Sequence, residues 1–143
     1  MLRRLITAAA LALLATQASA QTGLATPGVF ENYNAMRAEV DPLVSDLRIQ
    51  TLLPRIADTS QMDTGEIMAL EIQMRNALRD PLTEVEVMML SPLENGFRRE
   101  ILAYHDGGTG YLYLLLMIHE REDDLVVLHM LMNTSLAPLL SLF

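Results

Sequence analysis

The sequence predicts an α+β domain, with N-terminal helices packed on one face of a curved antiparallel sheet of three to four strands. Three observations predict it. Apolar residues recur at three-and-four spacing as far as Leu78. Beyond Pro81 the period drops to two, starting with Glu84-Val85-Glu86-Val87. The later apolar runs are separated by short turn-forming clusters rather than by more helical sequence. Helices first and strands second is the order of an α+β domain.

The segment from Gln21 to Gly28 is small and polar, with Pro27-Gly28 as a turn, and reads as a loose lead-in. From Val29, the residues Phe30, Tyr33, Met36, Val40, Leu43, Val44 and Leu47 take amphipathic helical spacing. Asp41-Pro42 gives either a break, with Asp41 capping a new helix, or a kink in one helix. Periodic apolar sequence continues from Leu47 to Ile56. A clear helix spans Met62 to Leu78, with Asp63 and Glu66 spaced as a capping box and Ile67, Leu70, Met74 and Leu78 on one face. Asp80-Pro81 ends it.

Strands follow near Glu84 to Val87, Phe97 to His105, Tyr111 to His119 and Leu125 to Asn133. Pairing Ile118 with Val126 across the acidic turn Glu120 to Asp124 sorts the last hairpin into two faces. Leu112, Leu114, Leu116, Ile118, Val126, Leu128, Met130 and Met132 form an aliphatic face, expected under the helices. The other face carries Tyr111, Tyr113, Leu115, Met117, Val127, His129, Leu131 and Asn133. A solvated face would alternate to charge, and this one does not. Either the apolar tail Leu136 to Phe143 covers it, or it is a docking surface or pocket wall.

Composition narrows the function. The 143 residues carry a net charge of -8, contain no Cys, and draw all 10 basic residues from Arg. No basic stretch follows Arg3-Arg4, which argues against nucleic-acid binding. With no Cys there is no disulfide, thiol nucleophile or Cys-ligated zinc. Met1 to Ala20 has the form of a secretory signal: Arg3 and Arg4, an apolar run from Leu5 to Ala15, then Ala18-Ser19-Ala20 as a cleavage site. The expected mature chain, 21–143, is a single domain with 8 basic and 18 acidic residues and a net charge of -10. No segment of it has the length and uniformity of a transmembrane helix. An Arg-only basic set fits a GC-rich bacterial genome, so the expected destination is the periplasm or the medium.

Catalytic signals are sparse. In the register above, His129 lies opposite Leu115, about 13 Å from His119, with His105 at the far end, so the three imidazoles do not converge on a metal. The turn Glu120 to Asp124 lacks the spacing of a calcium loop, and Asp106-Gly107-Gly108-Thr109-Gly110 serves a hairpin rather than a phosphate. No catalytic residue, metal ligand set or cofactor is assigned.

The stretch from Phe30 to Asn133 resembles the small secreted proteins of the nuclear-transport-factor-like (cystatin-like, cone-shaped α+β) fold. The residues that carry the likeness are the capped helix Asp63 to Leu78, Asp80-Pro81-Leu82 leading into Val85-Glu86-Val87, the Asn95-Gly96 turn, Phe97-Arg98-Arg99-Glu100-Ile101-Leu102-Ala103-Tyr104, and the two apolar strands. The resemblance implies isomerases, dehydratases, ligand binders or inactive partner modules alike, so function has to be argued from a site.

The expectation is a non-catalytic exported module that binds a protein partner, a second copy or a small apolar ligand. Tyr111, Tyr113, Met117, His129 and Leu131 are its candidate binding residues. The alternative is a small isomerase- or hydratase-like enzyme with a His or carboxylate general base in the cone pocket and Tyr111 or Tyr113 as donor.

Overall fold

The computed structural model describes residues 25–143. The signal-like segment Met1 to Ala20 lies outside these residues. Four strands and three substantial helices fall near the places the periodicity predicts: α1 is Tyr33–Ser45, α2 Ile49–Ile56, α3 Thr64–Ala77, β2 Glu84–Pro92, β3 Phe97–His105, β4 Tyr111–Glu120 and β5 Leu125–Asn133. A short strand β1, Val29–Phe30, precedes them, and a single turn α4, Ala137–Leu140, follows. The chain is an α+β fold, and the sheet among the described residues has five antiparallel strands in the order β1-β5-β4-β3-β2.

The fifth strand corrects the expectation of three to four. Val29 and Phe30 pair with Val126 and Leu125 instead of opening the first helix. Gly28, at φ +74°, makes this possible: its N–H donates to the Arg55 carbonyl, and its own carbonyl accepts from Val127. A Cβ there would meet the Ile56 carbonyl oxygen at 2.7 Å. Arg55 then clamps the strand, stacking over Phe30 at 3.9 Å and donating to the Val29 carbonyl while pairing with Glu39.

Helix α1 starts at Asn32, whose side chain caps Ala35 N–H at 2.9 Å. It runs unbroken through Pro42, so Asp41-Pro42 does not divide it. At α3, Asp63 takes the N-cap position but makes no side-chain capping bond. Ile67, Met74 and Leu78 are buried and Leu70 half-buried, as the spacing predicts.

Met36, Val40, Val44, Ile49 and Leu52 from the helices are fully buried against Leu102, Tyr104, Leu112, Leu114, Leu116 and Ile118 of the sheet. The β4–β5 register differs from the expected one. A bulge lies between Met117 and Ile118, so Ile118 faces Val127 while Met117 faces His129. The residue inserted by a bulge shifts the side-chain alternation by one. Leu125 and Val127, not Val126, therefore enter the core, and Leu128 is thrown out to 49% exposure. Beyond the bulge Met130 and Met132 pack on the core as expected.

The opposite sheet face holds a second, smaller core. Ile101, Leu115 and Leu139 are buried there, with Met89, Tyr113, Leu131, Leu136 and Phe143 packed around them. The tail thus covers the centre of this face.

Candidate functional site

The residues singled out from the sequence share the tail-side face. Tyr111 is 36% exposed and stacks on His105 and Tyr113 at centroid distances of 5.2 and 5.9 Å. Tyr113 and Leu131 are half-buried against the tail, and Met117 is half-buried between its strand neighbours Arg99 and His129. His129 is exposed. Because of the bulge it sits opposite Met117, not Leu115, only two positions from His119 along β4. His119 is stacked on Phe97 at 3.9 Å, and His105 lies 3.8 Å from Glu84, so each imidazole has a separate neighbour. Among the described residues no three His, Cys, Asp or Glu side chains cluster to hold a metal.

The tail itself is unusual for a cap. Leu139 inserts into the sheet face, and Arg99 donates to the Leu142 carbonyl at 3.0 Å and lies over the Phe143 ring. Its outer side is also apolar, with Leu140 44% and Leu142 53% exposed. A covering helix normally turns a polar side to water.

A polar network that the sequence reading missed lies between α1 and β3. Alternation places Arg98, Glu100, Leu102 and Tyr104 on the helix-facing side of β3, so a carboxylate enters the core beside leucine. Helix α1 presents Tyr33, Arg37 and Asp41 one turn apart above it. Arg37 binds both Asp41 carboxylate oxygens, at 2.8 and 2.9 Å, and donates to the Tyr33 hydroxyl at 2.8 Å. Tyr33 donates to Glu100 Oε2 at 3.2 Å, and Tyr104 donates to Asp41 Oδ1 at 2.6 Å. Arg98 stacks over Tyr33 at 4.2 Å, approaches Glu100 at 3.8 Å and binds Glu120.

Satisfaction is incomplete here. Glu100 is 1% exposed, and its Oε1 has no partner; Arg98 Nε and Nη2 are also buried without hydrogen bonds. Burial raises the Glu100 carboxyl above the ordinary carboxylate range despite the nearby Arg98 charge. Burial likewise pushes the Tyr33 and Tyr104 hydroxyls up. Burial opposes the Arg37 charge, but its bonds to Asp41 and Tyr33 outweigh that and hold it firmly protonated.

Two clefts open elsewhere. One, of about 440 Å³, lies between the α1–α2 turn and the end of α3; the other, of about 170 Å³, lies between α3 and the end of β5. Neither is lined by Glu100, Tyr33 or the tail-side candidates. No helix among the described residues is long and apolar enough to cross a membrane. Comparison of the chain with protein-family models, with curated proteins and with solved structures finds no match.

Proposed function

We propose that this chain is an exported, non-catalytic binding module that engages a protein partner through its tail-side sheet face. The observation that carries the reading is the apolar outer surface of the tail. Leu140 and Leu142 stay exposed on a tail whose Leu139 is buried in the sheet face, with the half-buried Tyr113 and Leu131 packed around it. Apolar surface left on top of a covering segment has no role in the fold beneath it, and contiguous exposed apolar area marks interaction surfaces. Export rests on the N-terminal pattern that ends in Ala18-Ser19-Ala20. Three helices on one sheet face, followed by the four long strands β2 to β5, support a nuclear-transport-factor-like fold.

A second reading, acid–base catalysis, draws on Glu100, a desolvated carboxylate 3.2 Å from a Tyr hydroxyl. It is the weaker reading, because neither cleft reaches that carboxylate. Catalysis needs the base within hydrogen-bond reach of the substrate proton.

Photo-crosslinking in the producing cell tests the proposal. A crosslinker at Leu142 should capture a protein that one at Asn76, on the exposed side of α3, does not. The purified partner should then bind the wild type and lose affinity at least tenfold for Met117→Arg. Equal capture from both positions, or an unchanged affinity, would remove the proposal.

A further inference from the structure

The eight described arginines are not used alike. Arg37, Arg55, Arg75, Arg98 and Arg121 each pair with a carboxylate, and Arg99 donates to the Leu142 carbonyl. Arg48 and Arg79 make neither kind of contact among the described residues, and both line the larger cleft. Its volume, about 440 Å³, lies in the range of small-molecule sites, roughly 300–1,000 Å³.

The fold brings these two side chains together from distant parts of the chain. The α1–α2 turn bends through Leu47, a non-glycine residue at φ +53°, and places Arg48 at the N-cap of α2. Arg79 follows the end of α3 across the cleft. Leu47 and Leu78 form the apolar floor, with Pro81 at the margin.

An internal carboxylate already occupies this neighbourhood. Glu71 accepts from the Gln50 N–H at 3.1 Å, in the first turn of α2, and is paired with Arg75. That backbone bond lowers the Glu71 pKa below the ordinary carboxylate range. The start of α2 therefore stabilises an oxyanion supplied by the chain itself, as helix N-termini do.

We propose that this cleft binds a small oxyanion carrying an apolar body, with Arg48 and Arg79 as the two guanidinium clamps and Leu47, Leu78 and Pro81 against the apolar part. Asp46 and Asp80 also line the cleft, and Glu71 neutralises Arg75. The recognition thus comes from planar guanidinium hydrogen bonding rather than from a surplus of positive charge. That balance disfavours polyanions and nucleic acid. It fits a singly charged group of modest size.

Titration of the ¹⁵N-labelled mature chain tests it, with hexanoate, inorganic phosphate and hexylammonium as separate probes. Hexanoate should shift the amide signals of Leu47, Arg48, Leu78 and Arg79 saturably. Arg48→Gln and Arg79→Gln should each weaken it at least fivefold while leaving the rest of the spectrum in place. Tighter binding of hexanoate than of phosphate supports a singly charged anion with an apolar body, and the reverse order would overturn it. Hexylammonium should leave these signals unmoved. Absence of saturable shifts with both anions, equal binding of hexylammonium, or affinity unchanged in both variants would overturn the proposal.

Discussion

The Tyr104 hydroxyl donates to Asp41 Oδ1 at 2.6 Å, joining the C-terminal end of β3 to helix α1 across 63 positions of sequence. Tyr104 is fully buried, and Asp41 is already held by Arg37 from the same helix. The bond fixes where α1 lies along the sheet, because an apolar contact could slide by a turn and this one cannot.

Tyr104→Phe keeps the ring and removes only the hydroxyl. The loss should be about 1.5–3 kcal/mol, the range for a hydrogen bond to a charged group. Urea unfolding of Tyr104→Phe, Asp41→Ala and the double variant should show coupling between the two positions. Additive single effects would mean that the bond has no role in stability.

Much of this architecture was legible in the sequence because period carries it. The face of α3, the alternation at Glu84 to Val87 and the turns at Asn95-Gly96 and Asp106 to Gly110 all report local backbone preference. Strand β1 was hidden, since two residues set no period and Phe30 also fits the spacing of the following helix. Asn32, a good N-cap three residues before Ala35, was the available signal. The bulge was hidden for a different reason. Leu125 to Met132 is almost continuously apolar, so a shift of one residue leaves the pattern unchanged.

The polar network had a faint signature. Tyr33, Arg37 and Asp41 stand four apart in α1, while Arg98 and Glu100 share the parity of Leu102 and Tyr104 in β3. Charge in phase with core residues marks a buried polar group, but only the tertiary fold shows that the two sets meet. Parity puts the five tail-side candidates on one face, whereas their relation to Leu139 and Phe143 depends on a tail with no period of its own.

Glu100 gives a pH-dependent prediction. Burial raises its folded pKa above the unfolded value, so the folded state holds the proton more tightly. Its favourable contribution is complete below the unfolded carboxylate range, about pH 4, and is lost as pH rises through the folded pKa. Glu100→Gln removes the titration, so it should gain stability relative to the wild type as pH rises from about 4 to about 7. Urea midpoints at the two pH values check this. A wild type that gains on the variant over that interval would show that Arg98 and Arg37 stabilise the ionised form.

Leu116 and Met117 are adjacent in β4 and point to opposite faces. Leu116 is fully buried under the helices, and Met117 is half-buried on the tail side. Leu116→Asp should unfold the domain, since an unpaired buried charge costs roughly 3–5 kcal/mol against a typical stability of about 5–15. Met117→Arg should fold, with its stem along Leu131, its diagonal neighbour on β5, and only a small penalty from facing Arg99. Circular dichroism melts of the pair give the comparison. A folded Leu116→Asp variant would contradict the burial of that side.

The tail sets the last prediction. Leu139 is 2% exposed, and truncating a leucine so deep in a core costs about 2–5 kcal/mol when the site unfolds only with the whole domain. The segment from Thr134 adds no strand to the sheet, and α4 is a single turn, too short to hold itself as a helix. Its attachment is Leu139, its apolar neighbours and the Arg99 bond to Leu142. Such a segment opens locally at less than the global free energy, and the cost of a substitution within it saturates at that opening energy. Leu139→Ala should therefore cost only about 1 kcal/mol in global unfolding. The amides of Leu139 and Leu140, bonded to Leu136, should exchange far faster than that of Leu114. Deleting 134–143 should leave the domain folded but bare Ile101 and Leu115, so the shortened protein should associate at concentrations where the same chain with its tail does not. A deletion that abolishes folding would instead make the tail part of the core, with no exchangeable cover over this face.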